Sequence, residues 1–200
     1  KQIFCSSYTK SINYKNNFIS NKNLSFIDIG FNKTSVICYN SNQINFFQII
    51  PVGSNHITKD ISKILNIDLI KSEKIKLFID KEERLLDEKE YSLDLAKKII
   101  SSRLEEIFEL CANSIQLNES LEALNKSKIV LMGEGSKILD NKFIDKISFL
   151  EDVDFLEETT ESICDSALKL RKGSNKQEVV IIPKKQINQG FFEKLFHFFR

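Results

Sequence analysis

Tryptophan is absent from this sequence, methionine occurs once, proline twice and glycine six times in 200 residues. Such scarcity of Gly and Pro excludes a collagenous or proline-rich low-complexity chain. Cysteine is sparse as well. Cys5, Cys38, Cys111 and Cys164 stand far apart with no C-x-x-C pair, and only His56 and His197 could join them as soft ligands. That spacing offers no metal motif and predicts reduced, buried thiols. Charge of one sign is missing too: 29 basic side chains face 28 acidic ones, for a net charge of +1. A near-neutral chain exerts no general pull on nucleic acid, and basic-aromatic binding motifs are absent. No apolar run approaches the roughly 20 residues that span a bilayer, so any meeting with a membrane is expected at its surface. The chain opens on Lys1 without a basic-then-apolar leader, and no secretory signal is visible. No Ser/His/Asp or Cys/His arrangement can be assembled by spacing, so no catalytic residue is assigned.

What is present is an ordinary folding composition, 42% hydrophobic and 28% charged, long enough for one or two domains with a real core. After a polar opening rich in Asn and Lys, "LSFIDIG" (24–30), "TSVICYN" (34–40) and "INFFQIIPV" (44–52) read as three strands joined by short turn-like connectors, an antiparallel meander. A helix follows, capped by Ser54 or Asn55, with Ile57, Ile61, Ile64 and Leu65 at helical spacing. Residues 67–80 carry another helix, and the charged stretch 80–91 a solvated connection. From Ser92 to about Leu117 runs a long amphipathic helix whose inner side is Leu95, Ile99, Leu104, Ile107, Phe108, Cys111 and Ile115. "KIVLMGEGSKIL" (128–139) is a buried strand running into a glycine turn and a helix start. The acidic run 150–161 leads to a last body helix stopped by Gly173. Beyond it the chain is a polar tether, broken only by "VVIIP", which has the composition of an edge strand. No internal repeat is visible.

Two stretches have the chemistry to handle phosphate. In "FIDIGFNKTS" a strand delivers Asp28 to a tight turn at Gly30, whose backbone N–H groups can cradle an anion; a plain hairpin needs the same turn chemistry. In "VLMGEGS", Gly133 and Gly135 let the backbone pass close to a ligand, and the helix start offers free N–H groups; glycines after a strand also serve plain packing.

The order of these pieces, D-I-G, then "IPVGSNHITKDISKIL", "SEKIK", "RLEEIFEL" and "IVLMGEGS", resembles the C-terminal half of the actin-like ATPases, and within them the FtsA family of bacterial cell-division proteins. The likeness runs from about Phe4 to the end. It implies an α/β fold: an actin-like (ribonuclease H-like) lobe in two parts, 1–57 and 126–172, with an inserted α-rich subdomain at 58–125, a linker at 173–189 and an amphipathic helix at 190–200. It further implies ATP with Mg as ligand. Asp28, Gly30 and Thr34 would face the phosphates and metal, with Lys33 supplying positive charge. Glu73 and Lys76 would face the nucleoside, and Gly133, Gly135 and Ser136 the adenosine. On sequence alone, Glu73 and Lys76 are also an ordinary i,i+3 ion pair.

The sequence departs from the family pattern at the phosphate turn, where Phe31, Asn32, Lys33 and Ser35 replace two glycines, a threonine and an aspartate. Phe31 adds bulk where a phosphate should approach. The departure implies weakened or altered nucleotide binding and slow or absent hydrolysis. The other lobe of the cleft falls outside these 200 residues, so this stretch alone is not expected to be a competent ATPase.

Five of the sixteen phenylalanines crowd into "GFFEKLFHFFR", residues 190–200. At about 100° per residue, Phe198, Phe191, Leu195, Phe199, Phe192 and Phe196 fill one arc of roughly 160°, with Arg200, Glu193, His197 and Lys194 opposite. An aromatic arc bordered by cations, after a polar tether, predicts an interfacial membrane helix; packing on a protein core is the competing use. FtsA-like proteins carry a similar helix after a linker. The resemblance thus implies an adaptor at the cytoplasmic face of the inner membrane, at the division site, that self-associates into filaments and binds the C-terminal peptide of the tubulin-like protein FtsZ. Arg103, Glu105 and Glu106 on the long helix are the candidate contacts. An actin-like pilus-assembly scaffold and a nucleotide-hydrolysing actin- or chaperone-type ATPase are the alternatives.

Overall fold

The computed structural model describes residues 5–18, 23–79, 92–118, 127–139, 141–144, 147 and 152–173. Its centre is a five-stranded mixed sheet of order β3-β2-β1-β4-β5. The strands are β1 (Asn23–Ile29), β2 (Thr34–Asn40), β3 (Gln43–Ile50), β4 (Lys128–Met132) and β5 (Val153–Phe155). The first three form the antiparallel meander that their apolar runs predict. Ser41 and Asn42 both take positive φ in the two-residue β2–β3 turn, the geometry that matches strand twist. β4 then pairs parallel to β1, and β5 parallel to β4.

Between β3 and β4 come α2 (Ser54–Leu65), α3 (Leu69–Phe78) and α4 (Leu93–Gln116). They cover one face of the sheet, where Ile27, Ile29, Val36, Ile129 and Leu131 meet Ile57, Ile61, Ile75, Leu104 and Ile107. α2 ends on Asn66 in the left-handed conformation, and Asp68 and Ser92 cap α3 and α4 through their side chains.

The structure corrects several expectations. The inner side of α4 runs through Ala96, Ile100 and Leu104, which places Leu95 on the far side of the wheel at 41% exposure. Ile64 of α2 is likewise outward. Of the four thiols, Cys38 and Cys111 are buried but Cys5 and Cys164 are exposed, and all are free. Burial pushes the Cys111 thiol up to about 12, so it stays protonated and inert. The helix start after β4 is a 3-10 turn, Glu134–Ile138, followed by the one-turn helix α5 (Asn141–Ile144).

Two further elements lie where the sequence reads as polar or acidic connection. Residues of the opening form α1 (Ser6–Tyr14) and a 3-10 turn (Lys15–Phe18), and the acidic run contains β5. α1 buries Ser7, Thr9, Lys10 and Ser11, so no apolar stripe announces it. It lies on the second face of the sheet, where Phe26, Ile37, Tyr39 and Val130 pack with Tyr8, Tyr14 and Phe18. Ser7 donates to Ser35 Oγ at 3.1 Å, and Ser11 shares a 2.8 Å hydrogen bond with Tyr39. The last body helix, α6 (Thr160–Gly173), contacts α1 through Ser166 and Asn13, 3.0 Å apart. The expected connection at 80–91, the tether with "VVIIP" and the aromatic segment 190–200 lie outside the described residues.

Candidate functional site

β1 and its parallel neighbour β4 finish at the same edge of the sheet, so the turns that follow them, 30–33 and 133–138, stand side by side. In α/β sheets the carboxyl ends of parallel strands are where ligands bind.

The first turn is closed by the Gly30 amide donating to the Lys33 carbonyl at 2.9 Å. It is held from below by the start of α2, whose Ser54 and Asn55 amides donate to the Gly30 and Phe31 carbonyls at 2.9 and 2.8 Å. This contact moves the α2 cap from the expected Ser54 or Asn55 to Gly53. A Cβ on Gly53 would lie 2.6 Å from both Gly30 O and Lys33 N, leaving no room for a capping side chain. His56 takes over part of the capping, its Nδ1 accepting the Gly53 amide at 3.2 Å. Thr34 is buried and donates its hydroxyl to the Val52 carbonyl at 2.8 Å, so it braces the turn from inside. Outward stand Phe31, 59% exposed, Asn32 and Lys33. Among the described residues nothing hydrogen-bonds to the amides of these three.

The second turn is pressed onto the end of β1. Gly133 has φ +88°, and a Cβ there would lie 2.3 Å from Asp28 Oδ1 and 2.6 Å from Ile29 O. A Cβ on Gly135 would lie 2.7 Å from Ile29 O. Ser136 is buried and donates to the Gly133 carbonyl at 2.7 Å. Glu134 on this turn is held by Lys137 at 2.8 Å.

Beneath both turns lies a buried ionic cluster that the sequence did not announce. Lys10 Nζ, carried by α1, sits 2.8 Å from Asp28 Oδ2 and 3.0 Å from each Glu158 carboxylate oxygen. Glu158 Oε2 also accepts the Gly133 amide at 3.0 Å, while Oε1 is buried and accepts no hydrogen bond. The side chains of Lys10, Asp28 and Glu158 are 5–7% exposed. Burial opposes charge on Lys10, yet its two carboxylate neighbours outweigh that and raise its pKa. For Glu158 burial wins, and its carboxyl is held above the usual range despite Lys10. A raised folded-state pKa means that the native protein binds the extra proton between 4.5 and the folded value. Stability should therefore fall as pH rises through that window. Urea midpoints of Glu158→Gln measured across pH 4.5–8 are expected to lose this decline; an unchanged profile would assign it to another group.

The other sequence-predicted residues are carried by α3 and α4. Lys76 of α3 is buried and donates to Glu73 at 2.7 Å, to Thr58 Oγ1 at 2.8 Å and to the Ser54 carbonyl at 3.3 Å. Glu73 also accepts from Thr58 at 2.5 Å. The pair thus ties α3 to the first turn of α2, the turn that supports residues 30–33. On α4, Arg103 is forked between Asp60 of α2 at 2.6 Å and Glu106 at 2.5 Å, which raises its pKa, Asp60 contributing most. Glu105 is exposed beside them. Among the described residues, no helix is long and apolar enough to cross a membrane. Nor does any group of three or more His, Cys, Asp or Glu side chains among them stand ready to hold a metal ion.

Comparison with solved structures fixes the fold. MreB5 of Spiroplasma citri bound to AMPPNP superposes with a TM-score of 0.65 at 18% identity, covering 84% of this chain and 58% of that one. A type IV pilus biogenesis complex, PilM–PilN, gives 0.58 at 14% identity, covering 84% and 49%. The lobe is therefore actin-like. Cell division protein FtsA of two Helicobacter pylori strains is 30% identical over 77 residues, 38% of this chain and 16% of that protein. The chain thus matches only part of these relatives' length. Since the model of the family described as cell division protein FtsA matches residues 25–154, well over half of the sequence, the chain belongs to the FtsA family.

Proposed function

We propose that this chain is part of a division adaptor that ties a cytosolic FtsZ filament to the inner face of the membrane. The observation that carries this reading is the conjunction of an FtsA-family lobe with the aromatic arc of residues 190–200. Five phenylalanine rings and one leucine, fully buried, would supply a gross ~9–18 kcal/mol. Ordering the segment costs about 1–2 kcal/mol per residue, and insertion is partial. The net is a marginal anchor, comparable to a single acyl chain. Marginal anchors become firm when many are joined, because each later attachment is intramolecular. Self-association into filaments supplies that multiplicity.

Nucleotide is the second element of the reading. The MreB5 structures hold AMPPNP and ADP. We extend binding of such a ligand to the edge formed by the two turns, with Gly30 and Lys33 at the phosphates and Gly133, Gly135 and Ser136 on the adenosine side. Thr34, Glu73 and Lys76 support the site from within, their polar atoms being already engaged. With Asp28 bound to Lys10, the site is a binding site and not a hydrolytic one.

Liposome co-sedimentation of an FtsZ tail peptide tests the adaptor. The peptide is expected in the pellet only with the intact chain. Removing residues 190–200, or introducing Phe192→Glu with Phe196→Glu, should leave both chain and peptide in the supernatant while the body stays folded. Reversing charge at Arg103 and Glu106 should release the peptide alone. If the truncated chain still pellets with lipid, the anchor lies elsewhere; if peptide never pellets, FtsZ is not the partner.

A further inference from the structure

The resemblance implies Mg together with nucleotide, and the residues present do not fit it. Mg takes oxygen ligands at about 2.0–2.1 Å in near-octahedral geometry, usually one or two carboxylates together with substrate phosphates, and keeps several waters. Among the described residues at this edge, the carboxylates of Asp28, Glu158, Glu134 and Glu73 are each held by a lysine. Asp28 and Glu158 share Lys10, Glu134 is paired with Lys137, and Glu73 with Lys76. Asp28 Oδ2 faces the Lys10 ammonium at 2.8 Å, and Oδ1 lies under Gly133, 2.3 Å from the point a Cβ would occupy. A cation bound to Oδ2 would have to compete with that ammonium for the same carboxylate charge. With the side chains 5–7% exposed, little of either carboxylate is open to a hydrated Mg.

We infer that Lys10 is the resident cation of this site and that the lobe takes a nucleoside polyphosphate free of divalent metal. This rests on the nucleotide reading above. Lys10 neutralises Asp28 from below, and the positive charge that faces a phosphate comes from Lys33, exposed on the phosphate turn beside amides to which no described residue hydrogen-bonds. The arrangement binds without activating. Among the described residues at the turns the carboxylates are engaged by lysines, and the Lys10 ammonium has no acceptor role.

Two measurements on the whole protein decide the matter. The first is Mn2+ alone, titrated without nucleotide and followed by electron paramagnetic resonance. Wild type is expected to show no bound Mn2+ that disappears in Asp28→Asn, whereas Lys10→Met should gain a site between Asp28 and Glu158. A wild-type Mn2+ site lost in Asp28→Asn would overturn the inference. Should Lys10→Met fail to fold, the wild-type and Asp28→Asn titrations decide it without that variant. The second is a fluorescent ATP analogue titrated in EDTA and in excess Mg. Equal affinity within about twofold supports the inference, and tightening of about tenfold or more by Mg overturns it. Failure to bind nucleotide in either buffer would sink the nucleotide reading but not the exclusion of metal, which the Mn2+ titration decides by itself.

Discussion

Lys10→Ala is expected to lower the unfolding free energy by about 3–5 kcal/mol, the usual cost of removing one partner from a buried ion pair. The loss comes less from the attraction given up than from what is left behind. Asp28 and Glu158 would face each other with their side chains 5–7% exposed, and Glu158 Oε1 already lacks a hydrogen bond. One of the two carboxyls would then have to take up a proton, so the variant should recover much of its stability on acidification. Urea unfolding followed by circular dichroism at pH 5 and pH 8 measures both effects. Replacing the whole triad by well-packed apolar residues should be far milder than the single substitution, because no uncompensated charge remains. If Lys10→Ala shifts stability by less than about 0.5 kcal/mol, as surface substitutions do, the cluster is not a buried ionic unit.

Gly133→Ala should be damaging for a different reason. At φ +88° and ψ 156° the residue occupies a region that is essentially glycine-only, a backbone cost of about 1–3 kcal/mol for any other residue. The new Cβ would also strike Asp28 Oδ1 and the Ile29 carbonyl, both on the end of a central strand that cannot easily move. Overpacking there adds a further ~1–3 kcal/mol. Asn tolerates the left-handed helical region but not this one, so Gly133→Asn should be no better than Gly133→Ala. The readout is the shift in thermal midpoint of both variants, together with loss of analogue binding at temperatures where they remain folded. A variant as stable as wild type would mean that the turn can open away from β1.

The two predictions concern residues of opposite legibility. Gly133 is visible in the sequence, since a glycine directly after the apolar run "KIVLM" marks a turn at a strand end. Lys10 is not visible. It belongs to a segment of Ser, Thr, Tyr and Asn with no apolar stripe, and its partner Glu158 is 148 positions away. The only local hint is that Ser7 and Ser11, four apart, flank it and sit on the buried side. β5 escapes for a related reason: it has three residues, too few for alternation to register, and gets its hydrogen bonds from β4.

The sequence by itself determined the three-stranded meander, the long helix α4, the glycine turns and the FtsA-family assignment that residues 25–154 carry. These are local: burial with period 2 or 3.6, and turn residues at fixed offsets, are written in neighbouring positions. Only the tertiary structure decided which groups surround the candidate residues. It set Thr34 on the Val52 carbonyl and Lys76 on Thr58 and Glu73, moved the α2 cap to Gly53, and brought Lys10 to Asp28. The charge state and reach of a side chain depend on which groups surround it once the chain is folded, and no pattern along the chain encodes a neighbour that distant in sequence.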